Sequence, residues 1–94
     1  MTTITAKGDT LFGRFEVTVS GEANVGEIKC SDEPFRRYIA DGIRRGEGYM
    51  ANAYYPEPNT MLQAYALLCN EFGYRNVRVD GELEVLEHED GVIY

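Results

Sequence analysis

The sequence predicts an α+β domain: a mostly antiparallel sheet of about five strands, with two helices packed on one face. Two observations carry this prediction. Short stretches alternate apolar and polar residues, and two longer stretches repeat apolar residues at helical spacing. The predicted order is β-β-β-α-β-α-β, with a short C-terminal strand at 91–94 left open. A length of 94 residues corresponds to a single domain spanning 1–94.

The first two strands are expected at about 3–7 and 11–20, where apolar residues occupy alternate positions. Between them, Gly8-Asp9 suits a two-residue hairpin turn. That turn would pair Ala6 with Leu11 and place the apolar side chains of both strands on one face. The sequence therefore predicts an N-terminal β-hairpin.

A short third strand near 26–30 leads into the first helix, which is expected over about 32–45. Asp32 and its neighbours supply a cap and acidic groups at the helix start, and Pro34 favours the first turn. Gly46 then provides a stop signal. The apolar stripe of this helix consists of Phe35, Tyr38, Ile39, Gly42 and Ile43.

A central strand is expected near 48–55, and the second helix is expected to start at Asn59 or Thr60 and to stop at Gly73. No charged residue lies between Met61 and Asn70, which indicates the more buried helix. The final strand is expected over 77–85. Its alternation favours a bend or bulge at Gly81, and a three-residue turn there also keeps the faces consistent.

Negative charge is concentrated at the C-terminal end of the chain. Residues 1–79 contain nine Lys/Arg and ten Asp/Glu, whereas residues 80–94 contain six Asp/Glu and neither Lys nor Arg. The net charge of −7 argues against direct nucleic-acid binding through phosphates and against binding to an anionic membrane. A basic surface on a protein is the partner that this charge favours.

The acidic C-terminal segment is therefore the predicted partner-binding site. Residues two apart share one face of a strand, so Asp80, Glu82 and Glu84 would form an acidic row. Three interpretations stay open: a solvated edge that discourages aggregation, a surface complementary to an Arg/Lys-rich groove, and a divalent-cation site. The full predicted site consists of Asp80, Glu82, Glu84, Glu87, Glu89, Asp90 and Tyr94.

The leading functional hypothesis is a non-enzymatic, cytoplasmic interaction protein. By size and charge it fits inhibitors of nucleic-acid-binding proteins of the phage or mobile-element type, which would present carboxylates where the target expects phosphates. One alternative is a homodimer assembled through edge strands, because the chain ends in the apolar residues Val92-Ile93-Tyr94. Monomer and homodimer both stay open.

A second alternative is anion or nucleic-acid binding through the first helix, and a solvated or internally paired helix face competes with it. The residues concerned are Arg36, Arg37, Arg44 and Arg45.

The sequence contains no motif for a phosphate loop, a dinucleotide-binding turn or a zinc helix, so neither a cofactor nor an enzymatic activity is predicted. Cys30 and Cys69 are far apart and are expected to be buried free thiols in a reducing compartment. His88 is the single histidine, and no typical zinc site is predicted around it. The first residues lack the layout of a signal peptide, which favours the cytoplasm.

Overall fold

The computed structural model describes residues 1–22, 24–45 and 60–81. Four strands pair into an antiparallel sheet in the order β3-β2-β1-β4, and two helices cover one face of it. The elements in chain order are β1 (Thr2–Thr10), β2 (Gly13–Gly21), β3 (Val25–Cys30), α1 (Glu33–Arg44), α2 (Thr60–Phe72), a 3-10 turn (Tyr74–Asn76) and β4 (Val77–Asp80). The predicted α+β class is confirmed, with four strands described; the strand predicted at 48–55 and the final strand at 91–94 lie outside the described residues.

The sheet is apolar on one face and polar on the other, because successive side chains of a strand point in opposite directions. Ile4, Ala6, Val17 and Val19 are fully buried on the face that the helices cover. Their neighbours along β1 and β2 are exposed or half-buried. The hydrophobic effect of burying this single face, together with the apolar sides of both helices, is the main stabilising contribution to the fold.

The hairpin of β1 and β2 turns at Leu11-Phe12, so the turn predicted at Gly8-Asp9 is wrong. In the observed register Ala6 lies opposite Val17, and nine residues of each strand are paired. A turn at Gly8-Asp9 would have placed β1 opposite only the first half of β2. Val17 and Val19 would then have had no neighbours on β1, so burial of both valines favours the longer hairpin.

The side chain of Thr10 closes the observed turn. Its hydroxyl donates a hydrogen bond to the carbonyl oxygen of Gly13 at 2.8 Å and accepts one from the amide of Phe12 at 3.0 Å. Gly13 has a φ of 137°, which glycine adopts more readily than other residues. The turn leaves the side chains of Leu11 and Phe12 on the surface, 97% and 60% exposed.

Helix α1 spans Glu33–Arg44, within one residue of the predicted 32–45 at each end. Asp32 is the N-cap, and its carboxylate accepts a hydrogen bond from the amide of Phe35 at 2.9 Å. The apolar stripe faces the sheet as predicted. Its buried members are Phe35, Ile39, Gly42 and Ile43.

Helix α2 spans Thr60–Phe72 and is followed by Gly73, which has a φ of 87°. The stop at Gly73 agrees with the prediction, since a glycine in this conformation terminates a helix without strain. Asn59, the other predicted start, lies outside the described residues. Ten of its 13 residues are buried, including the polar Gln63, so α2 is the more buried helix, as its lack of charge predicted. Neither described helix is both long and apolar enough to cross a membrane.

Strand β4 lies at the edge of the described sheet, beside β1, and it begins at Val77 as predicted. Val79 is packed against the core from the same face as Val77. Next, Gly81 has a φ of 106°, and a Cβ atom there would lie 2.7 Å from the carbonyl oxygen of Met1. This backbone agrees with the bend predicted at Gly81, and the predicted continuation of the strand to 85 lies outside the described residues.

Candidate protein-interaction surfaces

The polar face of the sheet carries charged side chains in rows that run across the strands. One row, acidic at both ends, consists of Asp80, Thr3, Ser20 and Glu27. The next row, basic at both ends, consists of Arg78, Thr5, Thr18 and Lys29. On the β3 side, Nζ of Lys29 lies 3.9 Å from Oε1 of Glu27, so the opposite charges of these two side chains largely cancel. On the β4 side, no ion pair joins Asp80 to another described residue.

Asp80 is the member of the predicted acidic site that falls within the described residues. It is exposed at the end of β4, at the edge of the described sheet and on the face opposite the two described helices. The neighbouring Val79 packs against the core, so β4 holds the Asp80 carboxylate in a fixed direction. The other predicted site residues, which lie outside the described part of the chain, are Glu82, Glu84, Glu87, Glu89, Asp90 and Tyr94.

The arginines of α1 are engaged by acids of the same helix. Arg36 donates two hydrogen bonds of 2.7 Å to the two carboxylate oxygens of Glu33, and Arg37 donates one of 3.3 Å. The hydrogen bond from Arg36 is the main cause that lowers the pKa of Glu33 from 4.5 to about 2. Arg44 pairs with Asp41 in the last turn. Arg45, the remaining member of the predicted cluster, is the exposed C-cap residue of α1. Internal pairing of Arg36, Arg37 and Arg44 weakens the case for anion binding by α1.

Both described cysteines are free thiols, as predicted. Cys69 is buried, while Cys30 is only half-buried and accepts a weak hydrogen bond from the amide of Asp32 at 3.5 Å. No group of three or more His, Cys, Asp or Glu residues in the described part of the chain could hold a metal ion. His88 lies outside that part.

A groove that the sequence did not predict opens at the end of the molecule where the hairpin turns. Its volume is about 470 Å³. The aromatic rings of Phe12, Phe15 and Tyr38 line it and pack against a fourth ring, that of the buried Phe35. The ring centroid of Phe15 lies 4.4 Å from that of Phe35, and the ring centroid of Phe12 lies 5.1 Å from that of Tyr38. The lining residues are Phe12, Gly13, Phe15, Asp32, Pro34, Phe35 and Tyr38.

The aromatic side chains of this groove are held in place by both helices. Phe35 stacks on Phe15 of the sheet and meets the edge of Phe72 from α2 at 5.9 Å between ring centroids. The hydroxyl of Tyr38 donates a hydrogen bond of 2.7 Å to the carboxylate of Glu71 on α2. An apolar groove with rigid aromatic walls and a polar rim has the composition of a protein-binding hot spot.

The one sequence signal for this groove was the pair of apolar residues, Leu11-Phe12, between the turn-forming Thr10 and Gly13. The alternation predicts Leu11 on the apolar face of a strand, whereas the structure places it in the exposed turn. No family model, curated protein or solved structure matches the chain. The functional conclusion therefore rests on the surfaces of the molecule.

Proposed function

We propose that this chain is a non-enzymatic protein-interaction domain whose acidic C-terminal segment binds a basic surface of a partner protein. The observation that carries the proposal is the placement of Asp80. This carboxylate opens the acidic segment, and it is exposed at the edge of the described sheet, on the face opposite the two described helices. The charge distribution supports the same site, because residues 80–94 carry a net charge of −6 and the remainder only −1.

Opposite charges displayed on a rigid surface accelerate encounter and select partners of the complementary sign. A partner that binds nucleic acid has such a basic surface, and carboxylates at regular spacing can occupy the positions of phosphates. The chain would then inhibit its partner by competing with the nucleic acid. The pairing of the α1 arginines with their own acids leaves the acidic segment as the dominant charged feature.

Affinity purification with two matched variants tests the proposal. Each variant removes four negative charges, so the two differ only in where the charge is lost. The C-terminal variant carries Glu82→Gln, Glu84→Gln, Glu87→Gln and Glu89→Gln. The body variant carries Asp9→Asn, Glu16→Gln, Glu22→Gln and Glu27→Gln, all at exposed positions of the sheet and its loops.

We expect the native chain and the body variant to recover the same basic protein at low salt, and the C-terminal variant to lose it. Circular dichroism and thermal melting of all three chains then show that the fold is unchanged. Recovery of that protein by the C-terminal variant, at the level of the native chain, would contradict the proposal. Adding DNA or RNA to the recovered complex tests the inhibitory role, since a nucleic-acid competitor should release the chain.

A further inference from the structure

The hairpin turn and the aromatic groove lie side by side at one end of the molecule. Leu11 is 97% exposed at the tip of the turn, and the next residue, Phe12, forms a wall of the groove. A protruding apolar side chain beside an apolar recess is self-complementary about a two-fold axis, because one rotation inserts both side chains at once. We propose that two copies of this chain form a dimer in which Leu11 of each copy occupies the aromatic groove of the other.

Charge at this end of the molecule permits such a contact. The described charged residues around the hairpin turn, at the N-cap and first half of α1, and at the end of α2 with the 3-10 turn after it comprise five bases and five acids. The bases are Lys7, Arg14, Arg36, Arg37 and Arg75. The acids are Asp9, Glu16, Asp32, Glu33 and Glu71. The described charges at this end therefore balance, so they neither oppose the approach of a second copy nor attract a strongly charged partner.

The acidic segment departs from the opposite end. Asp80 pairs with Thr3 at the start of β1, eight residues along the strand from Leu11. At about 3.4 Å per residue this is roughly 27 Å, more than three times the Debye length of about 8 Å at physiological salt. Repulsion between the two Asp80 carboxylates is therefore screened at the proposed contact.

The groove end is also distinct from two of the points where the chain leaves the described residues. Thr60, at the start of α2, donates its hydroxyl to Asn24 and accepts from the amide of Val25, at the far end of β3. Gly81 packs against Met1, also at the far end. The described lining residues of the groove thus lie near the hairpin turn, and a second copy brings to them the most exposed apolar side chain of the described chain.

Sedimentation equilibrium from micromolar to millimolar protein tests the proposal, with substitutions on both sides of the contact. Leu11→Ser removes the inserted side chain, and Leu11→Met is its conservative control. Pro34→Glu places a charge on the groove wall while keeping the acidic first turn that a helix favours. Each fully buried leucine contributes about tenfold or more in affinity, so Leu11→Ser should weaken the dimer ~100-fold or more. Leu11→Met should retain it.

Mixing the two defective variants gives the sharpest result. Leu11→Ser has an intact groove and Pro34→Glu has an intact leucine, so the mixture can form one of the two insertions. We expect heterodimers in the mixture at concentrations where each variant alone is monomeric. Two outcomes would overturn the proposal: a native chain that stays monomeric at millimolar concentration, and a dimer that both substitutions leave intact. A monomer that binds the dye 8-anilinonaphthalene-1-sulfonate in the groove, whatever residue stands at 11, would assign the groove to a small apolar ligand instead.

Discussion

The register of the N-terminal hairpin can be tested with alanine substitutions at two positions that differ greatly in burial. Val17 is fully buried opposite Ala6, whereas Leu11 is almost fully exposed at the turn. Val17→Ala removes the equivalent of two methylene groups at about 0.8 kcal/mol each and leaves a cavity, for a total cost of about 2–3 kcal/mol. Leu11→Ala is a surface change that should stay within about 0.5 kcal/mol.

Urea unfolding at low micromolar protein measures both free energies of unfolding without a contribution from dimerisation. Tyrosine fluorescence and far-ultraviolet circular dichroism are suitable signals, because the chain has seven tyrosines and no tryptophan. At about 4–8 °C per kcal/mol for a domain of this size, Val17→Ala should also lower the Tm by roughly 10–20 °C. A loss of stability in Leu11→Ala as large as that in Val17→Ala would refute the observed register, since Leu11 would then belong to the core.

Three further predictions concern caps, titration and backbone. Replacing the α1 N-cap, Asp32→Ala, should lower the free energy of unfolding by about 1 kcal/mol in urea titrations; an unchanged value would contradict the cap. In NMR titrations the Glu33 carboxyl should have its pKa at about 2, and Arg36→Ala should raise that pKa towards 4.5. Because folding lowers this pKa, any stabilisation from the ion pair is complete above pH 4.5 and is lost as the pH falls through about 2, and it is small at such an exposed site. Gly81→Ala should lower the Tm measurably, since its Cβ would lie 2.7 Å from the Met1 oxygen at a φ of 106°; an unchanged Tm would contradict this backbone.

The helices were predictable because their signals are local. The cap at Asp32, the stripe through Ile39 and the stop at Gly73 lie within or beside the segments they define. Strand β4 was predictable for a similar reason, since one of its faces is half-buried and the other is exposed. Strict alternation from Val77 to Asp80 therefore fixed the exposure of the carboxylate.

The hairpin turn was not predictable from local signals alone. Gly8-Asp9 is the better turn dipeptide, and Leu11-Phe12 has apolar residues where turns favour polar ones. Pairing over the full length of both strands determines the position of the turn, because it buries Val17 and Val19 against β1. The energy of that burial exceeds the intrinsic preference of two turn residues.

The aromatic groove depends on contacts between segments that are distant in the chain. Phe12 of the turn, Phe35 of α1 and Phe72 of α2 meet only after the sheet and both helices have packed. The helical spacing predicts the burial of Phe35, but no pattern in the sequence showed that the ring of Phe12 would lie beside it. The groove therefore became visible only in the folded chain.

The salt dependence of partner binding tests the central proposal most directly. The dissociation constant of the recovered basic protein would be measured at low, physiological and high salt for the native chain, the C-terminal variant and the body variant. We expect the affinity of the native chain and the body variant to fall steeply as salt rises, and that of the C-terminal variant to be weak and nearly independent of salt. Equal affinity and equal salt dependence for the native chain and the C-terminal variant would contradict binding through the acidic segment.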